Sequence, residues 1–518
     1  MKANVKAMRD QLRMLLKPGF IGWLLVISGV VLRLRQYIAN RSFWIDEANL
    51  ALNIINRSFG GLTQPLDYQQ GAPIGFLFIE KSTLVVLGNK DYILRLFPLF
   101  SGLLALYLMY RIAREYLGTA GLFAVFVFSI SWPLIYYSSE LKQYSSDAMI
   151  ALLLVYLSSP CFGDKSRARD FILLGAAGFI AIWTSHPSTF VLAGIGFTLI
   201  FDKLIRKAYT PLLWTLGLGL VWVASLGAVY MVSLRYLAAN DYLQTYWKDA
   251  FMPSPPWENW GWFTKSYLSL LVTISPSLDR WYLALSCSIL IVVGIVSLFF
   301  RNRIAALLVM LPFFMASIAS ELQKYPLRGR FLLFLVPFAI LLMAEGLGRI
   351  YSLIAKWNRG LAITVSGAAI LMVFWIPLTG INAKFRTPPL GEDIKPVMAY
   401  VQNNRTPNDI VYVYHAARPA FNYYAPFYDL TTGQIIAGKD IIAPRRALQQ
   451  FMDDINGLKG NNRVWFIFSH VADCGGCRGD MEVFYTQYID QFGTATVTFK
   501  ATNADVYLYD LNRFTEVK

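Results

Sequence analysis

The stretch WYLALSCSILIVVGIVSLFF (281–300), then Arg301-Asn302-Arg303, then IAALLVMLPFFMASIAS (304–320) decides the fold class. Neither long run carries a charge, and two arginines sit in the three residues between them. About 20 apolar residues in a helix cross the hydrocarbon layer of a bilayer, and arginines gather at membrane faces. The pattern is that of two spans joined by a short connector. Working outward, about eleven runs of this kind lie near 19–38, 92–110, 118–136, 147–161, 171–186, 188–201, 211–234, 281–300, 304–320, 331–346 and 361–380. The first follows a basic segment with no small-residue cleavage site, so it reads as a retained span.

Composition agrees. The 518 residues are 56% hydrophobic and 15% charged, where a soluble domain has ~25% charged residues. This excludes a soluble globular enzyme, a disordered chain and a disulfide-rich miniature. The net charge is +15, from 47 Lys+Arg against 32 Asp+Glu. In a chain of mean hydropathy +0.45 that excess fits the membrane charge rule better than nucleic-acid binding. Segments Met1–Lys17, Arg111–Glu115, Asp164–Asp170, Asp202–Lys207, Arg301–Arg303 and Arg349–Arg359 are short and basic. They alternate with loops 39–91, 137–146, 235–280 and 321–330, where acids and bases balance. Positive-inside bias puts the basic set in the cytoplasm, with the N-terminus in and the C-terminus out.

The expected architecture is therefore a polytopic α-helical membrane protein, with a transmembrane catalytic domain over 1–380 and a soluble exoplasmic α/β domain over 381–518. In the latter, NDIVYVYHA, NRVWFIFSH and ATVTFKATNADVYLYDL read as strands, the last as two joined at Asn503–Ala504. DIKPVMAYVQNN and RRALQQFMDDIN have helical spacing.

Reactive side chains concentrate in the outer loops. Asp46 and Glu47 follow Trp44 in FWIDEANLALNII. A carboxylate in a partly dry cavity is a competent general base, although acids that merely open a helix suit its dipole equally. DYQQGAPIGFLFIEKS supplies Gln70 and then Lys81, and reads as a loop with an interfacial helix or as a plain connector. In YYSSELKQYSSDA, Glu140, Tyr144 and Asp147 are spaced i, i+4, i+7, which predicts one helix face lining a wet cavity, with Lys142 pointing elsewhere. Helix caps and surface pairs would leave the same letters. His186 in TSHPSTF marks an outer turn and is either a ligand or a bend. Lys324, Arg328 and Arg330 cluster, with Tyr325 between them, in ELQKYPLRGRFLLF, and the three cations run against the positive-inside trend. Such cations call for an anion, and a phosphate at headgroup level suits the arginine fork, as does simple lipid anchoring. YWKDAFMPSPPWENWGWF has the Trp and Tyr of an interfacial belt, and its Pro-rich centre could form a lid. Cys474 and Cys477 suggest a local disulfide over a metal site. No Walker A, G-x-G-x-x-G or D-x-D sequence occurs, so an activated donor would have to be delivered by the membrane.

FWIDEA, QQGAPIGFLFIEK, YYSSELKQYSSD, KYPLRGRFLLFLVP and DIVYVYHAARPAFNYY, taken in this order over 43–424, resemble bacterial members of the GT-C superfamily. These are integral-membrane glycosyltransferases that use polyprenyl-phosphate sugars, and their relatives include protein O-mannosyltransferases and the aminoarabinose transferase of lipid A. The resemblance implies Asp46 as general base, with Glu47 orienting the acceptor or Asp46. It implies a donor cavity at Glu140, Lys142, Tyr144 and Asp147, and a phosphate held by Lys324, Arg328 and Arg330. QQGAP stands where relatives carry His-Pro-Pro or Lys-Pro-Pro; the His or Lys is absent, and Lys81 is the nearby substitute. No cofactor is implied with certainty, because some relatives use a divalent metal and others do not. The implied partners are a polyprenyl-phosphate-linked sugar, membrane lipid and an acceptor (protein, lipid or glycan), at a bacterial inner membrane with the site facing the periplasm. Two alternatives share the scaffold: a lipid-linked glycan flippase and a non-catalytic GT-C-like subunit.

Overall fold

The computed structural model describes residues 18–163, 166–439, 444–471 and 481–512. The basic segment 1–17 and both Cys474 and Cys477 lie outside them. The chain divides into two compact units. One comprises residues up to Ile38 with Ser58–Pro388, and the other Ala39–Arg57 with Pro389 onward.

The helices in chain order are α1 (Pro18–Ile38), α2 (Ile45–Asn56, part of the second unit), α3 (Ile74–Leu87), α4 (Leu96–Leu117), α5 (Gly121–Ile130), α6 (Trp132–Tyr137), α7 (Tyr144–Ser158), α8 (Ala168–Thr184), α9 (Ser188–Ile205) and α10 (Tyr209–Val229). After two short helices come α11 (Trp260–Ile274), α12 (Trp281–Arg301), α13 (Arg303–Glu321), α14 (Val336–Ala355) and α15 (Arg359–Arg386). Each of the eleven apolar runs falls on a helix. Among the described residues, eight helices are long and apolar enough to cross a membrane. The other three runs fold into shorter pieces: α5 has 10 residues, α7 has 15 and α8 has 17. The protein is a multi-pass membrane protein.

The run at 118–136 breaks at Ser131, whose backbone is extended, and Pro133 opens α6. A break inside hydrocarbon strands backbone carbonyls. Arg33 of α1 meets one of them: its Nη2 donates to the Phe128 carbonyl at 3.2 Å, while its Nη1 donates to the Gly29 carbonyl of its own helix at 3.1 Å. Ser131 Oγ closes the other side on the Ile274 carbonyl at 2.7 Å. Elsewhere in this unit small residues set the approach of helices, as expected where lipid supplies no hydrophobic drive. α12 and α14 meet at Gly294 and Gly346; a Cβ on either would lie 1.9 Å from a carbonyl oxygen of the other helix.

The second unit is a small α/β fold. Its five-stranded sheet has β1 (Ile410–Val413), β2 (Gln434–Ala437), β3 (Val464–Ser469), β4 (Thr494–Ala501) and β5 (Ala504–Asp510) in the order β2-β1-β3-β5-β4. β1 runs parallel to β2 and β3, while β5 is antiparallel to β3 and β4. β1 and β3 are buried throughout, which is why they read as unbroken apolar runs. The β4–β5 turn falls at Thr502–Asn503, one residue earlier than the sequence suggests, with Asn503 at φ +52°. Helices α16 (Ile394–Asn404), α17 (Arg418–Tyr424), α18 (Pro444–Asn456) and α19 (Met481–Ile489) complete the unit with α2. Asp409 pins β1 to β3. It accepts from Arg463 at 2.7 Å and from the Trp465 indole at 2.7 Å.

Candidate functional site

Two groups of polar side chains stand out, one in each unit. In the second unit the acidic pair occupies the first turn of α2. Segment 39–57 folds with residues some 350 positions later through a set of directional bonds. Lys395 Nζ donates to the Asn40 carbonyl at 2.5 Å, Ser42 Oγ to Asp393 Oδ1 at 2.6 Å, and the Phe43 N–H to the Tyr424 hydroxyl at 2.9 Å. The Phe43 ring is buried 4.7 Å from Tyr423.

The two acids have different surroundings. Glu47 is fully buried and bonded to Arg41 Nη1 at 2.8 Å, with Arg41 itself 2% exposed. Asp46 is half-buried. Charge on Glu47 is therefore matched in place, whereas the neighbouring Asp46 is not closed into that ion pair. Trp44 offers no side-chain cap to α2. Glu392 takes that part: its Oε2 accepts from the Ile45 N–H at 3.3 Å, where a carboxylate suits the helix dipole. Glu392 Oε1 meets His470 Nδ1 at 2.5 Å. This hydrogen bond raises the His470 pKa; burial opposes the rise, and the charges of Glu392 and Asp46 add to it. His470 follows the last residue of β3, and its ring lies 6.4 Å from Trp44. Among the described residues no group of three His, Cys, Asp or Glu is placed to hold a metal ion.

The first unit gathers residues from four loops. Lys142 Nζ donates to Gln70 Oε1 at 2.6 Å, and the two are 4% and 9% exposed. Arg330 stacks over Tyr144 at 5.5 Å and Trp247 at 5.9 Å. Tyr144 in turn meets Tyr137 and Phe331 edge to face. The buried Tyr325 hydroxyl donates to the Phe331 carbonyl at 3.0 Å. Its own ionisation is suppressed mainly by burial, then by the nearby Asp147 carboxylate. His186 sits in the turn between α8 and α9, where burial lowers its pKa to about 4 and keeps the ring neutral. Its Nε2 is buried with no hydrogen-bond partner among the described residues.

Sequence reasoning placed several of these residues wrongly in detail. α7 begins at Tyr144, so Glu140 is not on its face. Glu140 is fully buried in the turn before α7, which the Glu140 carbonyl tightens by accepting from the Lys142 N–H at 2.7 Å. Lys142, expected off the Tyr144–Asp147 face, is directed at Gln70. Lys324 and Arg328 are exposed, and of the three cations in their loop only Arg330 has a described aromatic cradle. Lys81 is half-buried on α3, next to the fully buried Glu80. Arg41, Glu392, His470 and Trp247 were missed. The chain has only 3 His, and scarcity was the available signal for His470. Trp247 lies in the stretch whose Trp and Tyr read as a membrane belt, which hides it.

The family model for dolichyl-phosphate-mannose-protein mannosyltransferases matches residues 70–228, a range that includes Gln70, Lys142, Tyr144, Asp147 and His186. Two solved structures of ArnT from Cupriavidus metallidurans share the fold at 14% identity and a TM-score of 0.51. The apo structure covers 94% of this chain and 98% of that one; the structure bound to undecaprenyl phosphate covers 95% and 98%. The Archaeoglobus fulgidus oligosaccharyltransferase complexed with Zn and sulfate matches at 12% identity and a TM-score of 0.46, over 85% of this chain and 67% of that one. A search of curated proteins gives no match. The chain has the fold of a GT-C superfamily glycosyltransferase.

Proposed function

We propose that the protein transfers a sugar from a polyprenyl-phosphate donor to an acceptor hydroxyl, at the outer face of a bacterial inner membrane. Residues 1–380 serve as the transmembrane catalytic part and 381–518 as the exoplasmic domain, with α2 folded onto the latter. The observation that carries the reading is the acidic pair in the first turn of α2: Glu47 is buried against Arg41, and Asp46 beside it is half-buried and near enough to His470 for its charge to act there. The undecaprenyl phosphate bound to ArnT supports the donor class.

In the proposed reaction the bond between the anomeric carbon and the phosphate oxygen breaks, and the polyprenyl phosphate leaves with the electron pair. Fixed cations stabilise the charge growing on that oxygen more than they stabilise the ground state. Lys142 and Arg330 are assigned this part, with Tyr325 and Gln70 holding them in place; Lys324 and Arg328 attract the anion from outside. Asp46 takes the proton of the attacking hydroxyl, and a single displacement inverts the anomeric centre. Glu140, Tyr144, Asp147, His186 and Lys81 are assigned to the donor cavity.

The test uses purified full-length protein in nanodiscs with a panel of radiolabelled polyprenyl-phosphate sugars. Asp46→Asn should fold normally and lose about 10²–10⁴-fold in turnover, the usual worth of a general base. Near-normal turnover by that variant would remove the assignment. Arg330→Ala should raise the donor concentration needed for half-maximal rate, and no change over the full donor range would remove the phosphate role.

A further inference from the structure

α12 and α14 touch backbone to backbone at Gly294 and Gly346. Helices crossing at an angle separate on either side of such a point. Toward the Arg301 end the gap is bridged by Glu345, which accepts from Ser297 Oγ at 2.7 Å and from Arg301 Nη2 at 2.6 Å. Along this divergence lies an open cavity of about 450 Å³. Val292, Val296, Phe300 and Leu353 form its apolar wall, and Arg301 and Arg349 stand among them. The Arg301 guanidinium is held in place, since it also donates to the Tyr116 carbonyl at 3.2 Å. Arg349 is exposed.

We propose that this cavity binds one anionic glycerophospholipid. Glu345 offsets one of the two arginines, which leaves a net charge of +1. A phosphodiester carries one negative charge and matches it. Guanidinium forks suit phosphate oxygens, and the apolar wall takes the start of an acyl chain. A convex helix surface with scattered arginines would attract headgroups without choosing among them. Here a concave apolar wall and a fixed guanidinium are combined, which is what selection requires. The site is not the donor site. α13 runs from Arg303 to Glu321, so Arg301 and the loop carrying Tyr325 and Arg330 lie at opposite ends of that helix.

Native mass spectrometry of the full-length protein tests this, with phosphatidylglycerol titrated against phosphatidylcholine. The wild type should retain phosphatidylglycerol roughly tenfold better, and Arg349→Glu and Val296→Trp should each abolish the preference, a loss in line with the worth of juxtamembrane basic residues. Arg349→Gln, which removes only an exposed charge, should weaken it. Unchanged preference in Arg349→Gln and Arg349→Glu would overturn the site. So would displacement of phosphatidylglycerol by an equal amount of polyprenyl phosphate, which would make the cavity a second donor site.

Discussion

Arg41→Met isolates the contribution of one buried ion pair to the helix that carries the acids. The pair is closed at 2.8 Å, with Glu47 fully buried and Arg41 2% exposed. Breaking a buried pair from one side leaves an uncompensated charge and costs about 3–5 kcal/mol. That cost falls on the fold of α2 against the second unit, so it should appear as easier local opening. At about 1.4 kcal/mol per tenfold, amide exchange over Phe43–Ile54 should quicken by about 10²–10⁴-fold. Hydrogen exchange with mass spectrometry, on protein in nanodiscs, reads this segment directly. Arg41→Met with Glu47→Met, which replaces both charges by apolar groups, should recover most of the protection, because a well-packed apolar pair is often neutral in place of a buried ion pair. Unchanged exchange in the single variant, or a double variant no better than the single, would refute the reasoning.

Three further outcomes follow from the geometry. Gly294→Leu forces a side chain into a space 1.9 Å from the Leu342 carbonyl oxygen, so α12 and α14 must part; its aggregation temperature in detergent should fall well below that of Gly217→Leu, where the added Cβ meets nothing within 4 Å. His470 gains stability from Glu392 because its folded pKa is raised; the gain is full below the ordinary value of about 6.5 and is lost as pH rises through the raised one, so exchange protection at Trp44–Ala48 should decline with rising pH in the wild type and lose that dependence in His470→Ala. Asp409 has its pKa lowered to about 2 by Arg463, Thr406 and Trp465 against the cost of burial; its stabilisation is present above an ordinary value of about 4 and is lost as pH falls toward the lowered one, so Asp409→Asn should lower the melting temperature of the second unit at pH 7 and narrow its loss in acid.

What the sequence made readable was governed by local composition. A 20-residue apolar run such as 281–300 declares its helix without help from the rest of the chain. The strands at Ile410–Val413 and Val464–Ser469 were legible for the same reason, being apolar throughout. Helix starts were not. Periodicity joined Glu140 to Tyr144 and Asp147, but spacing does not say where a helix begins, and α7 begins after the first of them. The break at Ser131 was equally hidden, because it depends on Arg33 supplying donors from another helix. The acids at 46 and 47 were found from local sequence, yet their difference was not: Arg41 burying Glu47 and Glu392 capping α2 are matters of tertiary placement.

The fold of α2 has a consequence for biogenesis. Residues 39–57 leave the ribosome early, whereas Glu392, Asp393, Lys395 and Tyr424, which hold them, emerge only after the whole helical part has been made. Until then the segment has none of those partners. A chain cut short before residue 392 would still insert its spans but leave this early stretch unfolded, an open substrate for surveillance proteases. Assembly around α2 thus reports that translation has run past the membrane region.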